Sequence, residues 1–510
     1  MRKIFSMIAV LACIAPAYAQ RSIDFTQSAA PDGALIAGVN DVDDLSAVRT
    51  VIGAEAAQAL SRAIDAKGFD ASKGATASFL TGAERFGEIH LIGLGEDALK
   101  TRDWEDFGGR ASGLAKNSKA DAAYVLAPGA GVEDLADAAM GAALGQYSFD
   151  LYKSNAAPVT GALNFVSAEA DAVRARFDSV ERHLADAVIW TRNMQSEPAN
   201  ILYPEEFVRR ARAQFRGVAD VTITVLDRRQ MERLGMGALL GVAQGSVRAP
   251  QLLIVRYNGG PAGGAPMVFA GKGVTFDTGG ISLKPNSGMW YMKSDMTGAA
   301  AVTGAVMSLA KSRAPVNVVA IAPIVENMPD GNAQRPGDVV ETMSGKTVEI
   351  RSTDAEGRLI LADAVWYAQE EYDPSLLVHV ATLTGSVIRA LSDEYAGLFT
   401  REDAIAERMK TVGAAAGEDL WRMPLHPNHD KQLKSPIADI KNSDAGNPGA
   451  SIGAAFIGQF VKQETPWAGL DIAGVDWREE ALPTVPNGAS GFSVRLLDRL
   501  ARDSVENGAE

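Results

Sequence analysis

Short apolar runs separated by helical stretches fill the first third of the chain. The runs ALIAGV (34–39), IHLIGLG (89–95) and AAYVLAP (122–128) have the length and composition of buried strands. The segment 46–64, between the first two runs, has the composition of a helix. Because strands that alternate with helices are typical of α/β folds, this pattern predicts a smaller N-terminal α/β domain over residues 20–165.

A different pattern follows in residues 166–195. Apolar residues recur there at helical spacing among mixed charges, which predicts one long connecting helix. We expect this helix to end at Glu197-Pro198, because the residue before a proline avoids helical backbone angles. The remaining chain, residues 196–510, is expected to form the larger domain.

Apolar runs in the larger domain are continuous rather than alternating. They are LLIVRY (252–257), APMVFAG (265–271), VNVVAIAPIV (316–325), TVEIRS (347–352) and LLVHVATL (376–383). Continuous runs indicate strands that are buried on both faces of a sheet. Helical segments such as 298–312 and 357–372 follow several of them. The chain is therefore predicted to be a two-domain α/β protein, whose larger domain has a central, mostly parallel sheet flanked by helices.

The first 19 residues have the three parts of a secretory signal peptide. Arg2 and Lys3 precede an apolar run that is too short to span a bilayer, and Ala-Tyr-Ala at 17–19 is a small-x-small cleavage site. We therefore expect an exported, periplasmic protein that is cleaved after Ala19 and has no membrane span in its mature chain. Lipid attachment at Cys13 is an alternative, although it would leave a very short signal.

Composition and charge limit the classes of protein to which the chain can belong. The chain is 47% hydrophobic and 22% charged, as in globular proteins, and its 510 residues exceed what a single core of about 250–300 residues accommodates. The formal net charge of −14 repels the phosphates of nucleic acids. A nucleic acid is therefore not expected as a partner.

Candidate chemistry is concentrated in residues 271–302 and 352–365. These stretches hold five potential metal ligands, which are Lys272, Asp277, Asp295, Asp354 and Glu356. They follow apolar runs, and ligands bind beyond the carboxyl ends of strands in open α/β sheets. One such acid alone is more often solvated or a helix cap, but several together can hold two divalent ions. Two ions activate water and polarise a carbonyl, so the set predicts a hydrolase with a two-metal centre.

Two cations accompany the potential ligands. Lys284 and Arg358 are suited to stabilise the oxyanion that forms when water attacks a peptide carbonyl. Lys272 differs from them, since a lysine that binds a metal must be a neutral amine. The chain has no H-E-x-x-H sequence, which excludes a thermolysin-like zinc site.

These motifs resemble those of the leucyl aminopeptidase family, also called cytosol aminopeptidases. The family octapeptide N-T-D-A-E-G-R-L is matched at 352–359 except for Ser352, and G-K-G-x-T-F-D-[ST]-G-G-I is matched at 271–281. The element M-K-x-D-M is matched at 292–296, and weaker matches lie at 197–200, 241–246 and 382–385. The resemblance covers about 190–500 strongly, and it implies that residues 196–510 are the catalytic domain.

The resemblance also implies a role for each potential ligand. Asp277 and Glu356 would bridge two metal ions, Asp354 would complete one site, and Lys272 and Asp295 would complete the other. The ions would be Zn or Mn, with Mg as a third option.

Further implied roles concern the substrate. Lys284 would polarise the scissile carbonyl, and Arg358 would hold a bicarbonate ion that acts as the general base. The residues implied to contact the substrate are Met292, Thr382, Leu383 and Gly385. The implied reaction removes one N-terminal residue at a time, with Leu or Met favoured, from short peptides, in a homohexamer.

Three departures from the family pattern bear on these expectations. Ser352 replaces the usual Asn, and Trp290-Tyr291 replaces a usual acidic or polar pair beside Met292. Most relatives are cytosolic, whereas this chain has the sequence of an exported protein. Two other classes of function stay open, namely a non-catalytic scaffold and a DNA-binding scaffold on the same fold. No ligand is lost, which opposes the first, and the negative charge opposes the second.

Overall fold

The computed structural model describes residues 20–81, 85–155, 160–443 and 449–506. The expected signal peptide at 1–19, with Cys13 and the cleavage site, lies outside the described residues. Within the described ranges, no helix combines the length and the apolar composition needed to cross a membrane.

The N-terminal domain is a six-stranded sheet with helices packed on it. Its strands are β1 Ser22–Thr26, β2 Ala34–Val39, β3 Thr76–Leu80, β4 Glu88–Gly93, β5 Ala122–Leu126 and β6 Ala162–Val166. Its helices are α1 Ser46–Ile52, α2 Ala54–Lys67, α3 Thr101–Asn117 and α4 Val132–Gly145. The strand order is β1-β6-β5-β2-β4-β3, and only the β3–β4 pair is antiparallel.

The predicted N-terminal strands correspond to β2, β4 and β5, which pair side by side. The segment predicted to be helical divides into α1 and α2 at Gly53, whose φ of 88° lies in the left-handed region that favours glycine. Strand β2 is buried along its whole length. Alternate residues of β2 face two cores: Ala34 and Ile36 pack with α3 and α4, whereas Leu35, Ala37 and Val39 pack with α1 and α2.

Two helices, α5 Ala170–Ser179 and α6 Glu181–Ser196, lead to the larger domain. The strands of that domain are β7 Val221–Leu226, β8 Gln251–Asn258, β9 Met267–Gly271, β10 Gly273–Asp277, β11 Asn317–Asn327, β12 Val339–Glu341, β13 Thr347–Glu349, β14 Leu376–Ala381, β15 Ala396–Phe399, β16 Leu420–Arg422, β17 Ile440–Lys441, β18 Trp467–Asp471, β19 Trp477–Arg478 and β20 Gly488–Ala489. Its helices are α7 Pro204–Gln214, α8 Arg228–Arg233, α9 Gly237–Val242, α10 Thr297–Lys311, α11 Glu356–Tyr372, α12 Gly385–Leu391, α13 Asp403–Ala416, α14 Pro427–Gln432, α15 Gly449–Gly458 and α16 Val494–Glu506.

The central sheet has nine strands in the order β16-β15-β18-β14-β9-β11-β8-β7, and β10 also pairs with β11. Its middle strands β18, β14, β9 and β11 are parallel, whereas β8 and β7 are antiparallel to their neighbours. The prediction of two α/β domains, the larger with a mostly parallel central sheet, is confirmed.

Both faces of this sheet are covered, which explains the continuous apolar runs. In β11, Val318 and Ala320 join a core with α10, while Val319 and Ile321 join a second core with α11. Alternate residues of a strand point to opposite faces, so each face needs apolar side chains.

The structure corrects two details of the predicted elements. Residues 166–195 do not form one helix, because Val180, with φ of −134° and ψ of −63°, separates α5 from α6. Helix α5 packs on β1 and α4, whereas α6 packs mainly on α10 and also on α4. The run TVEIRS forms β13 of a separate sheet, β12-β13-β17, because it pairs with a hairpin partner rather than with the central strands.

Candidate metal centre

The candidate residues lie where the central strands end. Lys272 stands between β9 and β10, and Asp277 is the last residue of β10. Thr382 directly follows β14, and Glu356 is the first residue of α11. Because the carboxyl ends of parallel strands meet at one edge of a sheet, Lys272, Asp277 and Thr382 converge there. Glu356 reaches the same edge from the start of α11, which follows β13 of the separate sheet rather than a central strand.

Three carboxylates form the tightest group at this edge. Asp277, Asp354 and Glu356 each offer an oxygen atom within 4.8 Å of the others. Asp277 and Glu356 are buried, whereas the side chain of Asp354 is 35% exposed. The group therefore opens to solvent on the side of Asp354.

Two lysines join this group to a fourth acid. Lys272 Nζ lies 2.7 Å from Asp295 Oδ1 and 2.8 Å from Glu356 Oε1. Lys284 Nζ lies 2.8 Å from Asp277 Oδ2 and 2.5 Å from Asp354 Oδ1. Four carboxylates thus face two ammonium groups, which leaves an excess of negative charge in a mostly buried space.

Burial and charge shift the pKa values of these groups. Burial raises the pKa of the Asp277 and Asp295 carboxyls. Burial also disfavours the Glu356 carboxylate, but the charges of Lys272 and Lys284 outweigh it and lower its pKa to about 2. For both lysines, burial alone would lower the pKa, but the charges of the surrounding carboxylates raise it by more. The pKa of each lysine therefore lies above its usual value. Lys272 is accordingly an ammonium ion in this arrangement.

Two buried oxygen atoms of the cluster have no hydrogen-bond partner in the described part of the chain. Asp295 Oδ2 and Glu356 Oε2 receive no hydrogen bond from any described residue. Leaving a buried carboxylate oxygen without a donor costs free energy, and a hard or borderline divalent ion would satisfy it. The oxygen-rich set of side chains therefore fits divalent metal ions, provided that Lys272 loses its proton when it becomes a ligand.

The loop after β10 holds Asp277 in place. Asn327, at the end of β11, donates through Nδ2 to Asp277 Oδ1 at 2.7 Å, and the backbone N–H of Gly279 donates to the same oxygen at 2.8 Å. Gly279 has φ of 85°, and a Cβ there would lie 2.8 Å from Asp354 Oδ1. The glycine lets the loop pass close to the acid.

Among the predicted substrate residues, Thr382 contacts side chains of the cluster. Its hydroxyl donates to Asp295 Oδ1 at 2.7 Å, and its carbonyl accepts from Lys272 Nζ at 2.8 Å. Leu383 follows it in the loop after β14, and Gly385 begins α12. Met292 belongs to the 3-10 helix Met289–Ser294, which ends next to Asp295.

Arg358 lies in the first turn of α11 and is buried. Its Nη1 donates to the backbone carbonyl of Asn442 at 2.7 Å, and its Nε has no partner among the described residues. Burial lowers the pKa of this guanidinium to about 10. A Cβ on Gly453 would lie 3.3 Å from Arg358 Nη2 and 2.9 Å from Leu383 Cδ2, so α15 passes close to both side chains.

The residues that depart from the family pattern make defined contacts in the structure. The hydroxyl of Ser352 accepts a hydrogen bond from the backbone N–H of Asp354 at 3.2 Å. The ring of Tyr291 packs edge-on against Trp477 with centroids 5.3 Å apart, and Trp290 packs against both. The hydroxyl of Tyr291 donates to the buried carboxylate of Asp476 at 2.6 Å. The chain thus has an aromatic cluster, Trp290-Tyr291-Trp477, adjoining the segment that leads to Asp295.

Sequence reasoning missed residues that support the cluster from other segments. Asn327 and Asp471 are the last residues of β11 and β18, and both contact the loops of the site. Each follows an apolar run, the same signal that indicated Asp277. Treating the polar residue that ends each apolar run as a candidate site residue would have found both.

Sequence comparisons extend along most of the chain. The "Cytosol aminopeptidase family, catalytic domain" matches residues 189–498, and the "Cytosol aminopeptidase family, N-terminal domain" matches residues 36–156. A "Probable cytosol aminopeptidase" of Xanthobacter autotrophicus is 44% identical over 491 residues, which cover 94% of this chain and 97% of the relative. A protein of the same name from Caulobacter vibrioides is 44% identical over 456 residues, with 88% and 92% covered.

Solved structures agree with the sequence comparisons. A mutant of tomato leucine aminopeptidase superposes with a TM-score of 0.83 at 30% identity, covering 96% of this chain and 97% of that chain. The bottromycin maturation enzyme BotP in complex with Mn gives a TM-score of 0.81 at 30% identity, with 93% and 99% covered.

Fold and site together define a metal-dependent hydrolase built on two α/β domains. The chain belongs to the cytosol aminopeptidase family and is a metal-dependent aminopeptidase, as its sequence predicted. The alternatives of a non-catalytic or DNA-binding scaffold find no support in these relatives.

The predicted location is corrected by the same comparison. An exported, periplasmic protein cleaved after Ala19 was expected from the N-terminal sequence. Relatives that are 44–45% identical over most of the chain are named cytosol aminopeptidases, a name that points to the cytoplasm.

Proposed function

We propose that this enzyme removes N-terminal amino acids one at a time from short peptides, with a preference for apolar first residues such as Leu and Met. The observation that carries the proposal is the buried group of four carboxylates and two lysines at the carboxyl edge of the central sheet. Its unpartnered oxygen atoms support the binding of two divalent ions per chain.

The ligands are assigned to two sites. By the family resemblance, Asp277 and Glu356 would each bind both ions, and both belong to the group of three close carboxylates. Asp354 would complete one site, and Lys272 and Asp295 the other. Zn or Mn is the proposed metal, with Mg as a third option, and a relative of this fold has been solved in complex with Mn. Bound ions would supply Lewis-acid polarisation of the scissile carbonyl and a water of lowered pKa.

Lys284 and Arg358 would act on the reacting groups. Lys284 keeps its proton in this environment, so its ammonium group would donate to the carbonyl oxygen and stabilise the developing oxyanion. Arg358, whose Nε has no hydrogen-bond partner among the residues that the structure describes, would hold a bicarbonate ion that accepts the proton of the attacking water.

The remaining predicted residues would position the peptide. The segment that contains Thr382, Leu383 and Gly385 would align the substrate backbone beside the ions. Met292 would contact the first side chain, and the neighbouring aromatic cluster would extend that apolar surface.

We propose two further properties of the chain. The domain limits remain those expected from the sequence, 20–165 and 196–510. Helix α5 and nearly all of α6 lie between these limits, and α6 packs mainly on α10 of the larger domain. The assembly is proposed to be a homohexamer, which follows from the family resemblance and can be measured by light scattering.

One assay tests the proposed function. Purified protein is loaded with Mn or Zn, its metal content is counted, and release of the chromophore from leucine p-nitroanilide is measured with and without chelator. The control substrate is the same anilide with an acetylated α-amine, which an aminopeptidase does not accept. We expect two ions per chain and turnover that the chelator abolishes. A folded sample without metal and without turnover would contradict the proposal.

A further inference from the structure

The carboxylate of Asp471, at the end of β18, fixes the loop that follows β14. Its Oδ1 accepts hydrogen bonds from the backbone N–H groups of Leu383 at 3.0 Å and Thr384 at 3.4 Å. Its Oδ2 accepts the hydroxyl hydrogen of Thr384 at 2.7 Å. Asp471 is only 1% exposed, so water does not compete for these bonds.

The fixed loop reaches the cluster through Thr382. The Thr382 carbonyl accepts from Lys272 Nζ at 2.8 Å, and its hydroxyl donates to Asp295 Oδ1 at 2.7 Å. These contacts and those of Asp471 lie on consecutive residues of one chain segment. A displacement of the segment would therefore change its position relative to Lys272 and Asp295.

The same bonds decide which backbone group of Leu383 can meet a substrate. Its N–H is committed to Asp471, which leaves its carbonyl. A carbonyl accepts, so the matching substrate group is an N–H donor, such as the amine or amide of a peptide. The side chain of Leu383 is held as well, because α15 passes it at Gly453.

We propose that Asp471 is a positioning residue for the peptide substrate: it fixes the segment 382–384 so that the Leu383 carbonyl stays aligned beside the metal cluster. This inference rests on the proposed aminopeptidase function. Asp471 acts through the loop, so its loss raises KM more than it lowers kcat, while the predicted ligands keep their ions.

A matched control is available in Asp363 of α11. It is fully buried, and its carboxylate accepts backbone N–H groups of Leu239 at 2.9 Å and Met343 at 2.8 Å. Like Asp471, it is a buried acid that holds backbone amides, but it holds other segments. Replacing Asp363 shows how much stability is lost when a buried acid no longer holds backbone amides, while the loop after β14 stays in place.

The experiment compares Asp471→Ala, Asp471→Asn, Thr384→Val and Asp363→Ala with the unchanged enzyme, all loaded with Mn. Metal content, thermal midpoint, and kcat and KM for leucine p-nitroanilide are measured for each. We expect KM to rise at least tenfold in Asp471→Ala with two ions retained, and to return to within threefold in Asp471→Asn, whose amide oxygen still accepts from Leu383 and Thr384. Thr384→Val loses the hydroxyl bond to Asp471 and also the hydroxyl that caps α12 at the Val387 N–H, and its KM should lie between those of the two Asp471 variants.

The control separates positioning from general stability. Asp363→Ala should lower the thermal midpoint and leave KM within twofold of the unchanged enzyme. The inference is overturned if Asp471→Ala leaves KM within twofold, or if Asp363→Ala raises KM as much. Where Asp471→Ala does not fold, an unchanged KM in Thr384→Val overturns it instead. Absence of turnover in the unchanged, metal-loaded enzyme would contradict the aminopeptidase proposal itself, before any variant is compared.

Discussion

Lys272 Nζ lies 2.8 Å from Glu356 Oε1, although both residues are only 3% exposed. Removing one partner of a buried ion pair leaves a charge without compensation, which costs about 3–5 kcal/mol. In chelator-treated protein, Lys272→Met should therefore lower the free energy of unfolding by about that amount, as measured by urea denaturation. Lys462→Met is the control, because Lys462 pairs with Glu370 at the surface and its loss should cost at most about 1 kcal/mol. Equal effects of the two variants would contradict the compensating role of Lys272.

Lys284 is predicted to act on the transition state rather than to hold the ions. Lys284→Ala should keep two ions per chain and lower kcat about a hundredfold or more, because one fixed donor to the developing oxyanion is lost. Lys284→Arg retains a cation and should recover part of the rate. Metal content by mass spectrometry and kcat for leucine p-nitroanilide check this. Unchanged turnover would remove Lys284 from the mechanism.

Metal binding should also stabilise the fold. An ion that binds only the folded state stabilises it by about 4 kcal/mol when its concentration is a thousandfold above Kd. Adding Mn to chelator-treated protein should therefore raise Tm, and Glu356→Gln should greatly reduce that rise. Asp403→Asn is the control, since Asp403 is an exposed acid that pairs with Arg422. A rise in Tm that is the same in all three proteins would place the stabilising ion elsewhere.

The sequence was sufficient where the signal is local. The acids Asp277 and Glu356 sit in short motifs beside apolar runs, and the structure brings them together at one edge of the sheet. The sequence was insufficient where pairing between distant segments decides. Nothing within TVEIRS tells which sheet it joins, and nothing near Asp471 indicates that it holds a loop 87 to 88 residues earlier. The break at Val180 likewise depends on which helices pack on either side of it.

The aromatic cluster should influence which first residue is preferred. Trp290 is 65% exposed and belongs to the same 3-10 helix as Met292. Burial of apolar surface favours large first side chains, so Trp290→Ala should lower kcat/KM about fivefold to tenfold for leucine and phenylalanine anilides and change it little for the alanine anilide. Trp421→Ala is a matched control, because Trp421 is also exposed and packs edge-on against one aromatic residue, Tyr395. A uniform change across the three substrates would contradict a role in selectivity.

His379 should make the free energy of unfolding decrease at acidic pH, although it takes no part in the proposed reaction. It lies in β14, where burial lowers its pKa to about 3 and where Trp467 Nε1 donates to its Nδ1 at 3.0 Å. The pKa of His379 in the unfolded chain is about 6.5. Below pH 6.5 the unfolded state therefore binds a proton that the folded state does not bind. The stability that neutral His379 contributes is complete above pH 6.5 and is lost as the pH falls toward 3, at about 1.4 kcal/mol per pH unit.

His379→Gln keeps an acceptor for Trp467 but does not titrate. Between pH 7 and pH 5, the unchanged enzyme should therefore lose about 2 kcal/mol more unfolding free energy than the variant, measured with urea, because the two proteins share every other titrating group. Parallel losses in both proteins would mean that His379 titrates at its usual pKa inside the sheet.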